Sequence, residues 1–168
     1  MPVVLEIDRL QQLPLERLHC GVGDSPVGPS LLFWDSVGVC QLSFGATSLA
    51  QASQRDDRQA QALVAQIFAD PGSVPIVLCG THFQRRVWLE LMATSIGQTV
   101  SYAQLARRIG LAKGARAVGS AVAANALGFL VPCHRVLRQD GDIGQFRWGV
   151  EIKRRLLDWE TRQVPTSA

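Results

Sequence analysis

Residues 30–44, SLLFWDSVGVCQLSF, set two apolar runs on either side of DSVG. Short apolar runs separated by turn-forming residues specify a β-hairpin. In DDRQAQALVAQIFAD, which begins at residue 56, the period changes. Ala60, Leu63, Val64, Ile67 and Phe68 recur at helical spacing, and Pro71 with Gly72 ends the pattern. A hairpin followed by one helix specifies a small mixed or antiparallel sheet with a helix against it. This α/β unit is expected to span residues 1–80 and to end in the loop PGSVPIVLCG.

The remainder, residues 81–168, reads as mainly α. In THFQRRVWLELMAT, Phe83, Val87 and Leu91 step by four, and Trp88 with Met92 widens the stripe into a core-facing helix. After the break IGQTV comes SYAQLARRIG, where Ser101 and Gln104 have capping-box spacing and Gly110 is a natural stop. The turn LAK leads to GARAVGSAVAAN. There Val118, Val122 and Asn125 share one side, while Ala115, Gly119 and Ala123 line up on another. Two short helices and a tight turn fit either an ordinary helical hairpin or a helix-turn-helix of winged-helix-like type. The small face favours the second: a groove about 6 Å wide admits a helix only if its side chains are small, which points to the DNA minor groove.

Charge is unevenly divided. From residue 81 onward there are 13 Lys/Arg against 6 Asp/Glu, and before it 4 against 8, within an overall +3. A basic half beside an acidic one is consistent with a polyanionic partner, although solvated basic surfaces are common. No apolar run reaches the roughly 18–20 residues of a membrane span, so a soluble cytoplasmic protein without membrane contact is expected. Cys20, Cys40, Cys79 and Cys133 are scattered, with no CxxC pair. A zinc site from His19, Cys20, Cys79 and His82 has only residue types in its favour, so no metal and no cofactor is expected, and three of the thiols are read as buried and inert.

The dipeptide Cys133-His134 in VPCHRV admits three readings: a nucleophile with its base, half a metal site, or chance neighbours in a buried strand. Two features favour the first. In VEIKRRLLDWETR, Ile152, Leu156 and Glu160 step by four, which puts a carboxylate on the face that packs into the core. A buried carboxylate needs a partner, and an imidazole is a natural one. The loop GDIGQFRWG, rich in glycine and aromatics, can rim a pocket. Cysteine, histidine and an orienting acid make a nucleophile relay.

In order and spacing, FQRRVW, SYAQLARRIG, KGARAVGSAVAAN, PCHRV and FRWG…KRRLLDWE resemble the O6-alkylguanine-DNA alkyltransferases, also called methylated-DNA–protein-cysteine methyltransferases, from about Gly80 to Glu160. The first 80 residues resemble that family's variable N-terminal domain only loosely, and the whole looks like the stand-alone type. The resemblance implies single-turnover transfer of an alkyl group from O6-alkylguanine, and from O4-alkylthymine, to Cys133 after minor-groove binding and nucleotide flipping. It implies that His134 is a base acting through a bridging water, that Glu160 orients it and that Asn125 is a hinge. Tyr102 would contact the phosphate and the flipped guanine, and Arg116 would enter the duplex. Ser101, Ala115, Ala117, Gly119, Val122 and Ala123 would line the DNA-binding surface. Val136, whose carbonyl with that of Cys133 reads the exocyclic amine, would form the pocket with Gly128, Phe146 and Arg147. Alkylated double-stranded DNA is the implied partner of a monomer capable of cooperative binding.

The chain departs from the family where NALGFLVPC puts Ala126 and Gly128 in place of prolines, and Phe146 in place of a tyrosine. A looser pocket wall is the expectation. Three rivals make different predictions: a lesion-binding protein without chemistry lacks the cysteine, a major-groove regulator needs long polar side chains on its helix, and a Cys-His hydrolase turns over.

Overall fold

The computed structural model describes residues 2–7, 18–45 and 54–164. Its larger sheet has six strands, β1 (Val4–Ile7), β2 (His19–Ser25), β3 (Gly28–Trp34), β4 (Val39–Phe44), β5 (Gln54–Arg55) and β6 (Ile76–Cys79), in the order β1-β6-β4-β3-β2-β5. Strands β2, β3 and β4 are antiparallel neighbours, whereas β6 runs parallel to both β1 and β4. The sheet is therefore mixed. The expected hairpin is β3–β4, closed by Asp35, whose carboxylate accepts from the amides of Val37 and Gly38 at 2.8 and 3.0 Å. The expected loop PGSVPIVLCG contains instead the strand β6, whose Ile76, Val77 and Leu78 are all buried. An inner strand covered on both faces has no alternation for a sequence reading to detect.

Helix α1 (Asp57–Ala69) starts at Asp56, whose side chain accepts from the Gln59 amide, and buries Ala60, Val64, Ile67 and Phe68. It lies so close on β2 that a Cβ at Gly21 would sit 2.4 Å from the Asp56 carbonyl oxygen. That approach explains a glycine in mid-strand.

Helix α2 (His82–Met92) has a capping box of Thr81 and Gln84, and α3 (Tyr102–Arg108) has the expected one of Ser101 and Gln104. Gly110 follows α3 with φ +75°, in the left-handed region that glycine tolerates. Helix α4 (Ala115–Ala123) buries Val118, Ala121 and Val122, and the Trp88 indole N–H donates to the Ala121 carbonyl at 2.8 Å, tying α4 to α2. Strands β7 (Val100–Ser101) and β8 (Val136–Leu137) form a two-stranded parallel sheet, not the antiparallel hairpin of a wing. Helix α5 (Val150–Gln163) is the last element among the described residues and buries Lys153, Leu156 and Glu160.

The sheet and the later helices share one core. The amide of Leu42 donates to the Ala126 carbonyl at 3.0 Å, and that of Gly128 returns a bond to Leu42 at 2.8 Å. The segment between α4 and Cys133 is a run of turns, and Cys133–Arg135 form a single 3-10 turn and not a piece of buried strand. Within it Phe129 has φ +65°, a left-handed conformation that costs a side chain roughly 1–2 kcal/mol. Among the described residues, no helix is long and apolar enough to cross a membrane.

Candidate active site

Cys133 is 5% exposed at the floor of a cavity of about 420 Å³ lined by Tyr102, Gly119, Val122, Ala123, Asn125, Cys133, Gln145, Phe146 and Arg147. One wall is the face of α4 that carries the small residues, and the opposite rim is the loop before α5. Cys133 can face this cavity because the turn from Asn125 to Val131 is locked from inside. The buried Asn125 amide donates to the carbonyls of Leu127 and Val131 at 3.2 and 2.9 Å, and its oxygen accepts from the Leu127 amide at 2.9 Å. The same Nδ2 lies 3.2 Å from the Cys133 sulfur. The C-cap of α4 is Ala124, the residue before Asn125.

Burial pushes the Cys133 thiol up to about 11, against the opposing hydrogen bond from Asn125 and the charge of Lys153. The thiol is therefore protonated at neutral pH and needs a base. His134, fully buried, places Nε2 at 2.8 Å from Glu160 Oε1, while Nδ1 is buried without a hydrogen-bond partner among the described residues. Burial lowers the imidazole's pKa, and Glu160 opposes the shift. Burial would raise the Glu160 carboxyl, but hydrogen bonds from His134 and Arg135 outweigh it and bring the group down to about 2.

Arg135 and Lys153 are the residues that sequence reasoning missed. Arg135 Nε lies 3.0 and 2.9 Å from the two Glu160 oxygens, Nη2 lies 2.8 Å from Oε1, and Nη1 reaches Thr94. The Gly97 amide adds a further donor to Glu160 at 3.0 Å. A buried carboxylate with a guanidinium fork and an amide is fully paired, which is what allows it to stay charged. Lys153 is 1% exposed and donates to the carbonyls of Val136 and Ile143 at 2.6 and 2.5 Å, stapling the 3-10 turn and the pocket loop to α5. Burial lowers its pKa to about 8. Lys153, Leu156 and Glu160 share one face of α5, so a second charge on that stripe was the available signal.

The remaining expected site residues are spread over several elements. Tyr102, Phe146 and Arg147 line the cavity with Cys133; Phe146 meets Trp148 edge-on at 5.2 Å, and the Arg147 guanidinium lies 5.9 Å from the Trp148 ring. Arg116, Ala117 and Ala123 are exposed on α4, with Ala115 and Gly119 half-buried. Ser101 caps α3, its hydroxyl accepting from the Gln104 amide at 3.2 Å. Gly128 and Val136 differ from expectation. Gly128 is not in the cavity wall: a Cβ there would meet Phe44, the Leu42 carbonyl and Trp148 at 2.7–3.0 Å. It makes room for the Phe44–Trp148 contact instead of loosening the pocket. Val136 is not among the residues lining the cavity; its side chain is fully buried and its carbonyl accepts from Lys153.

The zinc alternative is also excluded in its proposed form. His19 and Cys20 lie on β2, separated from Cys79 on β6 by two strands, and no group of three or more potential metal ligands occurs among the described residues. Cys20 is buried as expected, but Cys40 is half-buried and Cys79 exposed.

Fold and site together define a mixed sheet-and-helix protein that presents one buried thiol, next in sequence to a buried His134–Glu160 pair, to a pocket lined partly by small residues of α4. Residues 82–162 match the family model described as 6-O-methylguanine DNA methyltransferase, DNA binding domain. The chain is 35% identical over 166 residues to a methylated-DNA–protein-cysteine methyltransferase of Mycobacterium leprae, covering 89% of this chain and 96% of that protein. It is 37% identical over 153 residues to the Escherichia coli bifunctional transcriptional activator/DNA repair enzyme Ada. The chain spans 43% of that protein and 26% of the Salmonella typhimurium regulatory protein ada. The crystal structure of Mycobacterium tuberculosis OGT in complex with DNA superposes with a TM-score of 0.75 at 32% identity, covering 88% of this chain and 95% of that one. The chain belongs to the methylated-DNA–protein-cysteine methyltransferase family.

Proposed function

We propose that this protein repairs DNA by direct, single-turnover transfer of an alkyl group from O6-alkylguanine, and from O4-alkylthymine, to Cys133. The observation that carries this reading is the thiol at the pocket floor, 3.2 Å from Asn125 Nδ2 and beside the His134–Glu160 pair. It is supported by the names of the relatives and by the DNA complex of the Mycobacterium tuberculosis protein.

Residues 81–168 act as the DNA-binding and active-site domain, with α3 and α4 as a helix-turn-helix, and residues 1–80 support it. The exposed small side chains Ala117 and Ala123 let α4 enter the minor groove, with Ser101, Ala115, Gly119 and Val122 beside it. Arg116 takes the place of the extruded nucleotide, and Tyr102 guides it. Extrusion costs a few kcal/mol, offset by contacts in the pocket and by the inserted side chain.

In the reaction His134 takes the thiol proton at Nδ1 through a bridging water, and Glu160, held anionic by Arg135, stabilises the imidazolium. Asn125 donates to the sulfur and so favours the thiolate. The sulfur then attacks the alkyl carbon in line. An S–C bond forms, the C–O6 bond breaks, and its electron pair stays on guanine, which takes up a proton as it leaves, with the Arg147 amide donating to O6. Carbonyls of Cys133 and Val136 read the exocyclic amine, each using its second lone pair. The product thioether has no activated carbonyl for water to attack, so the protein is consumed. Incubation with duplex DNA holding one O6-methylguanine should restore guanine in amounts that never exceed the protein added. Repair beyond one equivalent, or repair by Cys133→Ala, contradicts this reading.

A further inference from the structure

His134 is tied at Nε2 alone, so the hydrogen bond to Glu160 fixes one point of the ring and leaves its plane to be set by packing. That packing is aromatic. The Phe129 ring lies parallel to the imidazole within 12°, with centroids 6.0 Å apart. It is equally parallel to Phe68, at 4.3 Å. Trp159 packs T-shaped against both phenyl rings, with centroids 5.3 Å from Phe68 and 5.4 Å from Phe129. Three elements meet in this cluster: Phe68 closes α1 against the sheet, Trp159 immediately precedes Glu160 on α5, and Phe129 lies in the turn that Asn125 locks. Phe129 is 3% exposed and is the one non-glycine residue with positive φ among the described residues. A side chain kept in so unfavourable a backbone conformation beside a reactive group points to a role for its placement.

We infer that Phe129 is a positioning residue for His134, holding the imidazole plane so that Nδ1 faces Cys133, and that Phe68 and Trp159 clamp Phe129 for that purpose. This rests on the relay proposed above, in which His134 takes the thiol proton. Through Phe68, packing between α1 and the turn sets the reactivity of a thiol on the other side of the core.

The test compares Phe129→Leu, Phe129→Tyr and Phe68→Leu with the unaltered full chain. Three readouts are single-turnover methyl transfer from O6-methylguanine duplex, affinity for the undamaged duplex, and the nitrogen-15 resonances of the His134 ring in the absence of DNA. Phe129→Leu should slow transfer between about 10- and 100-fold and leave duplex affinity unchanged. Its His134 resonances should change from one Nε2–H tautomer to a broadened mixture. Phe129→Tyr, which keeps the ring, should retain most of the rate, and Phe68→Leu should show the same two changes as Phe129→Leu in weaker form. A normal rate in Phe129→Leu, or a slow rate with an unaltered imidazole spectrum, overturns the inference. If Phe129→Leu does not fold, Phe68→Leu decides by the same criteria. Failure of the unaltered chain to take up methyl would instead count against the proposed function, while the imidazole spectra still report on the ring placement.

Discussion

Cys133 is held as a thiol, not a thiolate, because burial outweighs the donors around it. In the absence of DNA its alkylation by iodoacetamide should be slow at neutral pH and climb as pH rises toward about 11. Rapid alkylation at pH 7 would contradict the protonated resting state. Asn125→Ala removes the donor to sulfur together with the ties to Leu127 and Val131. It should cost about 1–3 kcal/mol of stability in chemical denaturation, as well as slowing transfer. Glu160 gives stability a defined pH dependence. Its carboxyl titrates at about 2 in the fold against 4.5 for the free group, so the unfolded chain takes up the proton first. That contribution is complete above about 4.5 and disappears as pH falls toward 2. Urea midpoints measured across this range should drop steeply for the unaltered chain and less steeply for Glu160→Gln.

The helices whose signals are local were legible from the sequence. Periodicity marks α1 and α2, and the Ser101/Gln104 capping box marks the start of α3. Strand β6 has no period for a sequence reading to find, because Ile76, Val77 and Leu78 are all buried, and Gly21 and Gly23 of β2 resemble breakers until α1 is seen lying on them. Loss of the cap in Ser101→Ala should cost about 1 kcal/mol, read from the denaturation midpoint. Arg116, exposed on α4, tests the use of that helix. Arg116→Ala should slow transfer from duplex DNA far more than transfer from the free base O6-benzylguanine, and equal slowing would remove it from nucleotide extrusion.

At the scale of the molecule, the site depends on contacts between chain segments distant in sequence. Glu160 was legible because it breaks an apolar stripe, whereas Arg135 gained meaning only once Thr94 and Glu160 were seen around it. Lys153 likewise is defined by two carbonyls in a loop with no period of its own. Gly128 was misread as a pocket wall for the same reason: its role is set by Phe44 and Trp148, one on the sheet and one before α5. Gly128→Ala should therefore destabilise the fold by roughly 1–3 kcal/mol without enlarging or narrowing the cavity over Cys133. The central claim, that Cys133 is the acceptor and is used once, is tested most directly by intact-mass and peptide mass analysis after excess O6-methylguanine duplex is added. One added methyl per molecule is expected, located as a thioether on Cys133 and absent from Cys133→Ala. An unchanged mass, a methyl on Cys20, Cys40 or Cys79, or more than one per molecule would contradict it.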